Sequence, residues 1–191
     1  MFNHVYTKIS QIANKRSIII LLSLCLLLMT SINTINMPVS VPRINEISHG
    51  AGVLDVKLYY TSGEAYQLLE RLQPGGRLVY LKLLTLFDFI IPFLYSLCLA
   101  IIINVIFGKA FPSIIWIQKL CLTPFLAGIF DYLENVSIIR MLIKYPKFDA
   151  ISFFAGYFTL AKMLFGWVTL LLILFGLIYV LRKRGNDIRM C

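Results

Sequence analysis

The chain has 191 residues, 59% of them hydrophobic and 14% charged, with a mean hydropathy of +0.83. Soluble domains carry about 25% charged residues, so this composition excludes an ordinary soluble domain and points to a small helical membrane protein with one bundle. The net charge of +9 would suit nucleic acid, but the basic residues are scattered and form no aromatic-interleaved patch or nucleic-acid motif; chain ends facing anionic lipid account for it better.

Residues 1–16 read as a short polar tail with Lys8, Lys15 and Arg16. Residues 17–36 are the first apolar run. A basic start followed by Ile18 to Met29 fits a signal peptide, yet Thr30-Ser31-Ile32-Asn33 is a poor cleavage site, so the run is read as a retained span. Its far end is polar, with Thr30, Ser31, Asn33 and Thr34.

Residues 37–80 form the one long hydrophilic segment, broken early by Pro38 and Pro42. Thr61-Ser62-Gly63-Glu64 fits a capping box. Ala65, Leu68, Leu69 and Leu72 then fall on one helical face, and Pro74-Gly75-Gly76 should stop the helix. This predicts a short amphipathic helix outside the membrane core, packed on the end of the bundle in preference to lying in the lipid interface.

The second span covers residues 81–107. Asp88, Pro92, Tyr95 and Leu99 share a face, and Pro92 should kink the helix and free a carbonyl near Asp88. After a turn at 108–112 the third span runs over 114–143. Here Pro124, Gly128, Asp131 and Asn135 form one face, with Glu134 about 60° to its side. Arg140 is placed to snorkel toward an interface. The fourth span, 151–181, carries a stripe of Ser152, Gly156, Thr159, Lys162 and Gly166. Its glycines would let a neighbouring helix approach, and Arg182-Lys183-Arg184 should stop it at a membrane surface. The expected fold is therefore all-α: a four-helix transmembrane bundle forming one membrane domain, with a short amphipathic helix in the first extracytoplasmic loop.

Cys25, Cys98 and Cys121 lie in apolar runs and Cys191 is the last residue. No pair has metal-ligand spacing, so they read as packing residues, with no metal and no cofactor expected. The sequon Asn135-Val136-Ser137 falls within a span and should not be glycosylated.

Positive charge sets the orientation. Lys8, Lys15, Arg16, Lys109, Lys119, Arg182, Lys183, Arg184 and Arg189 fall on the side of the termini. The opposite side has nearly as many, but mostly in a long loop interspersed with Glu46, Asp55, Glu64 and Glu70. Long loops count less, so both termini are expected in the cytoplasm of a multi-pass cell-membrane protein. At 1.5 Å per residue, Asp88 then lies about 10 Å, Glu134 about 13 Å, Lys162 about 17 Å and Asp131 about 18 Å from the outer membrane surface. Four positions on three separate spans thus converge in the outer half of the bilayer. Each acid at mid-span costs roughly 2.5–3.5 kcal/mol on insertion scales, and Lys162 should pair with Asp131, the acid nearest its depth.

The run Tyr60-Thr61-Ser62-Gly63-Glu64 through Gly76-Arg77-Leu78-Val79-Tyr80, with Asp88, Pro92, Tyr95 and Asp131-x-x-Glu134-Asn135, resembles a family of uncharacterised four-helix membrane proteins over roughly residues 55–165. That resemblance implies architecture and no chemistry. The layout is also loosely similar to the sterol-isomerase and sigma-2-receptor group, with no residue-by-residue match and no sites carried over.

Asp88, Tyr95, Asp131, Glu134, Asn135, Thr159 and Lys162 are the candidate pocket residues. They can serve as polar glue between helices, and Tyr95 can be simple aromatic packing. The preferred reading is an outward-facing pocket for a small amphiphile, lipid or cation. A structural subunit of a membrane assembly, with a partner subunit or further copies of itself, comes next. An enzyme using Asp131 or Glu134 as general acid or base follows, and a coupled transporter comes last, since there is no repeat. The expected partners are thus the bilayer and an amphiphilic ligand, with no nucleic acid.

Overall fold

In the computed structural model, which describes residues 2–189, the chain is helical with no strand among those residues. Three helices are long and apolar enough to cross a membrane: α2 (Lys15–Thr34), α6 (Ile91–Ala110) and the Ser152–Lys183 part of α9 (Ser152–Arg189). α8 (Thr123–Lys144) is of similar length but carries Asp131, Glu134, Arg140 and Lys144. α6 is central, packed on α2, α8 and α9, while α8 and α9 share the most extensive contact. Cys191 lies outside the described residues; Cys25, Cys98 and Cys121 are buried free thiols.

The expected polar tail is a helix, α1 (Phe2–Ile12). Ile9 is buried against Ala100 and Ile101 of α6. Asn104 donates from Nδ2 to Ser10 Oγ at 3.0 Å, and the Tyr6 hydroxyl donates to Gln118 Oε1. Asn14 then caps α2 by accepting from the Ser17 N–H at 2.9 Å.

Residues 37–80 are more ordered than a hydrophilic loop. They hold α3 (Val41–Ile47) and α4 (Ser62–Arg71), and α5 (Gln73–Leu86) begins within them. Pro42 and Pro74 do not end structure; each sits in the first turn of a helix, where a missing N–H costs nothing. The capping box on Thr61 and Glu64 is present with both reciprocal bonds. α4 stops at Leu72, and Gln73 takes a positive φ of 56° to turn the chain into α5. Arg77 donates to the Leu69 carbonyl at 2.8 Å and lies over the Tyr145 ring. The main apolar core forms here: Ile44, Leu54, Ala65, Leu69, Leu72, Tyr80 and Leu84 pack on Ile138 and Met141 of α8 and Ala155 of α9.

The expected 81–107 helix is in fact two, α5 and α6, separated by a turn at 87–90, so Asp88 lies in a break and not on a helix face. The cause is Pro92, which has no N–H for the carbonyl four residues back, that of Asp88. α8 supplies the missing donors: Asn135 Nδ2 reaches the Asp88 carbonyl at 3.2 Å and the Tyr132 hydroxyl reaches that of Phe89 at 2.7 Å. The 114–143 run is likewise interrupted. α7 (Ile115–Gln118) and a 3-10 turn (Lys119–Leu122) precede α8, which starts with Pro124 in its first turn. At the far end, α9 does not stop at Arg182-Lys183-Arg184 but continues to Arg189.

The glycines also differ from expectation. Gly156 faces the backbone of Tyr60, not a neighbouring helix, and Gly166 faces open space. The close helix approach falls at Gly128, against Ser96 and the Pro92 carbonyl of α6.

Arg140 does not simply point to an interface. With Lys144 it brackets Asp149 in the α8–α9 connection, at 3.0 and 2.7 Å. Tyr66 of α4 ties down the same connection by accepting from the Asp149 N–H and donating to the Lys147 carbonyl. The hydrogen bond from Lys144, the Ile151 N–H and the Arg140 guanidinium hold the Asp149 carboxyl well below the usual carboxylate range. A lowered folded-state pKa gives stability that is complete above the unfolded value of about 3.9 and is lost as pH falls below it. Asp149→Asn should therefore be less stable than wild type at pH 6, with the gap closing as pH drops below 4. A gap in thermal unfolding that stays constant from pH 6 to pH 3 would show that Asp149 does not act through its charge.

Candidate functional site

Lys162, about three turns into α9, is the hub. Its stem is long enough to serve two acids on α8. The ammonium lies 3.2 Å from Asp131 Oδ1 and closer still to Glu134 Oε2, and it donates to the Asp55 carbonyl at 3.3 Å. The pairing with Asp131 follows the sequence expectation, but the exclusion of Glu134 from the main face does not. Glu134 is 0% exposed. Besides Lys162 it meets the Thr159 hydroxyl at 2.6 Å and the Tyr60 hydroxyl at 3.4 Å, both on Oε1. Three residues along a helix bring a side chain to within about 60° of the first, and a lysine placed between the two acids spans that angle.

Tyr95 of α6 is more than packing: its hydroxyl donates to Asp131 Oδ2 at 3.0 Å. Asn135 is 4% exposed and, as described, holds the carbonyl of Asp88. The structure thus brings all seven candidate residues to one region, although Asp88 arrives from the α5–α6 turn. It also adds two residues that the sequence reading passed over. Asp55 comes from the segment between α3 and α4, where its carboxylate accepts from the Tyr80 hydroxyl. Tyr60 precedes α4 and reaches inward over Gly156. Neither had a periodic signal, because both lie in irregular chain.

Two spaces open on this cluster. One is a cavity of about 160 Å³ whose polar lining is Asn33, Asp55, Asp88, Tyr95, Asp131, Asn135 and Lys162. The other is a wider groove of about 440 Å³ with an apolar lining that includes Met29, Leu99, Met163, Trp167 and Leu170. Asp55, Tyr95, Asp131, Lys162 and Met29 border both, so the polar cavity and the apolar groove adjoin. The groove runs between α2 and α9, floored by α6 and α8. Among the described residues, no group of three or more His, Cys, Asp or Glu is arranged to hold a metal ion.

The fold and this cluster define an all-helical protein with three helices able to cross a membrane and a charged cluster buried among its helices. Set against known protein families, curated proteins and solved structures, the chain matches none.

Proposed function

We propose that the chain is a multi-pass cell-membrane protein whose four-helix transmembrane bundle, α2, α6, α8 and α9, binds a small amphiphile. In this reading α8 is a span in addition to the three apolar ones, α3 to α5 cap the extracytoplasmic end, and both termini are cytoplasmic. The antiparallel run of α8 and α9 through a short connection fits that topology. Lys162 offsets the cost of the two acids on α8.

The observation that carries the binding reading is the adjacency of a polar cavity and an apolar groove that share five lining residues. A head group fits the first and a hydrocarbon tail the second, and the groove opens sideways between α2 and α9, toward where lipid would lie. A catalytic role for Asp131 or Glu134 is less well supported. Both already engage Lys162, and each accepts from a hydroxyl, so neither is free to take up a substrate proton.

Native mass spectrometry of the protein released from mild detergent tests this reading. The wild type should carry a bound amphiphile. Gly166→Phe places a ring in the groove from a position where a Cβ meets nothing, and it should fold yet lose the bound mass. A wild type with no bound molecule, or a Gly166→Phe protein that keeps it, overturns the reading.

A further inference from the structure

Resting on that reading, we propose that the head group taken by the cavity is a primary ammonium, so that the ligand is a long-chain amine.

Each donor group around the cavity already has an acceptor, Asn33 included, which donates to the Met29 carbonyl. The Lys162 ammonium serves Asp131, Glu134 and the Asp55 carbonyl. The Tyr95 hydroxyl serves Asp131, the Thr159 and Tyr60 hydroxyls serve Glu134, and the Asn135 amide N–H serves the Asp88 carbonyl. What remains in the cavity wall is a pair of buried acceptors without a partner, Asp88 Oδ2 and Asn135 Oδ1. The orientation of the Asn135 amide is fixed, because turning it over would set its oxygen against the Asp88 carbonyl oxygen. A buried acceptor left without a donor is unfavourable, and the two residues that carry these acceptors are themselves joined by the bond from the Asn135 amide to the Asp88 backbone carbonyl.

Charge narrows the choice. Asp55, Asp88, Asp131 and Glu134 border the cluster against Lys162 alone. A phosphate head would add negative charge to an acidic wall. A hydroxyl would bring one donor and no charge, and a quaternary ammonium would bring charge and no N–H. A primary ammonium brings positive charge and three donors, which matches two orphan acceptors, one of them a carboxylate. The cavity, about 160 Å³, has room for a compact amine end.

Trp167 lines the groove and gives the readout. The chain has two tryptophans, so Trp116→Phe leaves Trp167 as the sole emitter. The protein is placed in phosphatidylcholine nanodiscs and titrated with an octadecyl chain brominated at mid-length, bearing an amine, a trimethylammonium or a phosphate head. Bromine near Trp167 quenches it. The amine should quench saturably, with a midpoint roughly tenfold or more below those of the other two heads. Asp88→Asn should raise the amine midpoint roughly tenfold to hundredfold without lowering the unfolding temperature, since the carboxylate it removes has no partner to lose. Equal midpoints for the three heads, or an amine midpoint unmoved by Asp88→Asn, overturn the head-group assignment and leave the groove reading standing. No saturable quenching by any chain overturns both. The head-group series needs no change in the cavity, so it decides even where Asp88→Asn fails to fold.

Discussion

Lys162→Met is expected to cost about 3–5 kcal/mol of stability in detergent, because it strands two acids in place of one. Asp131 keeps the Tyr95 hydroxyl and Glu134 keeps the Thr159 and Tyr60 hydroxyls, but no cation remains beside either. Glu134 is the more exposed to this loss, in the energetic sense, since its side chain has no contact with solvent. Glu134→Gln alone should also be costly, as it leaves the Lys162 ammonium with only Asp131. The double change Glu134→Gln with Lys162→Met removes both charges of the closest pair and should recover much of the loss. A double-mutant cycle on thermal unfolding measures the coupling, which is expected at roughly 1–3 kcal/mol for groups in one network. Strict additivity would show that the two side chains do not share an ion pair, and the hub role of Lys162 would fall with it.

Gly156→Ala is expected to be the second severe change, at about 3 kcal/mol or more. A Cβ on residue 156 would overlap the Tyr60 carbonyl oxygen. That obstacle is backbone, which cannot rotate aside as a flexible side chain can, so the cost should reach the upper part of the usual overpacking range of about 1–3 kcal/mol. The gain in helix propensity from glycine to alanine, about 1 kcal/mol, offsets only part of it. Relief requires Tyr60 to lift off α9, which would pull its hydroxyl from Glu134 and loosen the approach to Asp55. Faster amide exchange over residues 54–61 should therefore accompany the loss. Gly166→Ala is the control, because its Cβ meets nothing, and it should be neutral or slightly stabilising. Equal behaviour of the two variants would mean that Tyr60 does not rest on Gly156.

These two positions mark how far the sequence could be read. Lys162 and Asp131 were legible as partners because each lies in a long helix, where 1.5 Å per residue fixes depth. The capping box of Thr61 and Glu64 was legible because its bonds span three residues and need no tertiary context. Glu134 was misplaced because helix-face arithmetic treats side chains as radial spokes, whereas a lysine stem sweeps across the gap between two of them. Tyr60 and Asp55 enter from irregular chain, whose path is set by the core it packs on and not by any period. The helix α1 was missed for another reason. Its polar residues gave the segment the look of a tail, yet Tyr6, Ile9 and Ala13 already stood at helical spacing. The break at 87–90 was half read: Pro92 did free the Asp88 carbonyl, but its satisfaction by Asn135, 47 residues away in the chain, is a tertiary event.

The placement of the charged hub on consecutive helices has a consequence for biogenesis. For a chain threaded into a bilayer from its N-terminus, α2 and α6 can each leave the insertion machinery alone, being free of ionisable side chains over most of their length. If α8 is a span, as proposed, it cannot do so cheaply, since Asp131 and Glu134 together add roughly 5–7 kcal/mol to its transfer on insertion scales. The counter-charge lies only 28 residues beyond Glu134, on the next helix. On the proposed reading, α8 and α9 would then wait for one another at the lateral exit and partition as a hairpin whose acids are partly offset by Lys162, with the Asp149 clamp closing its turn.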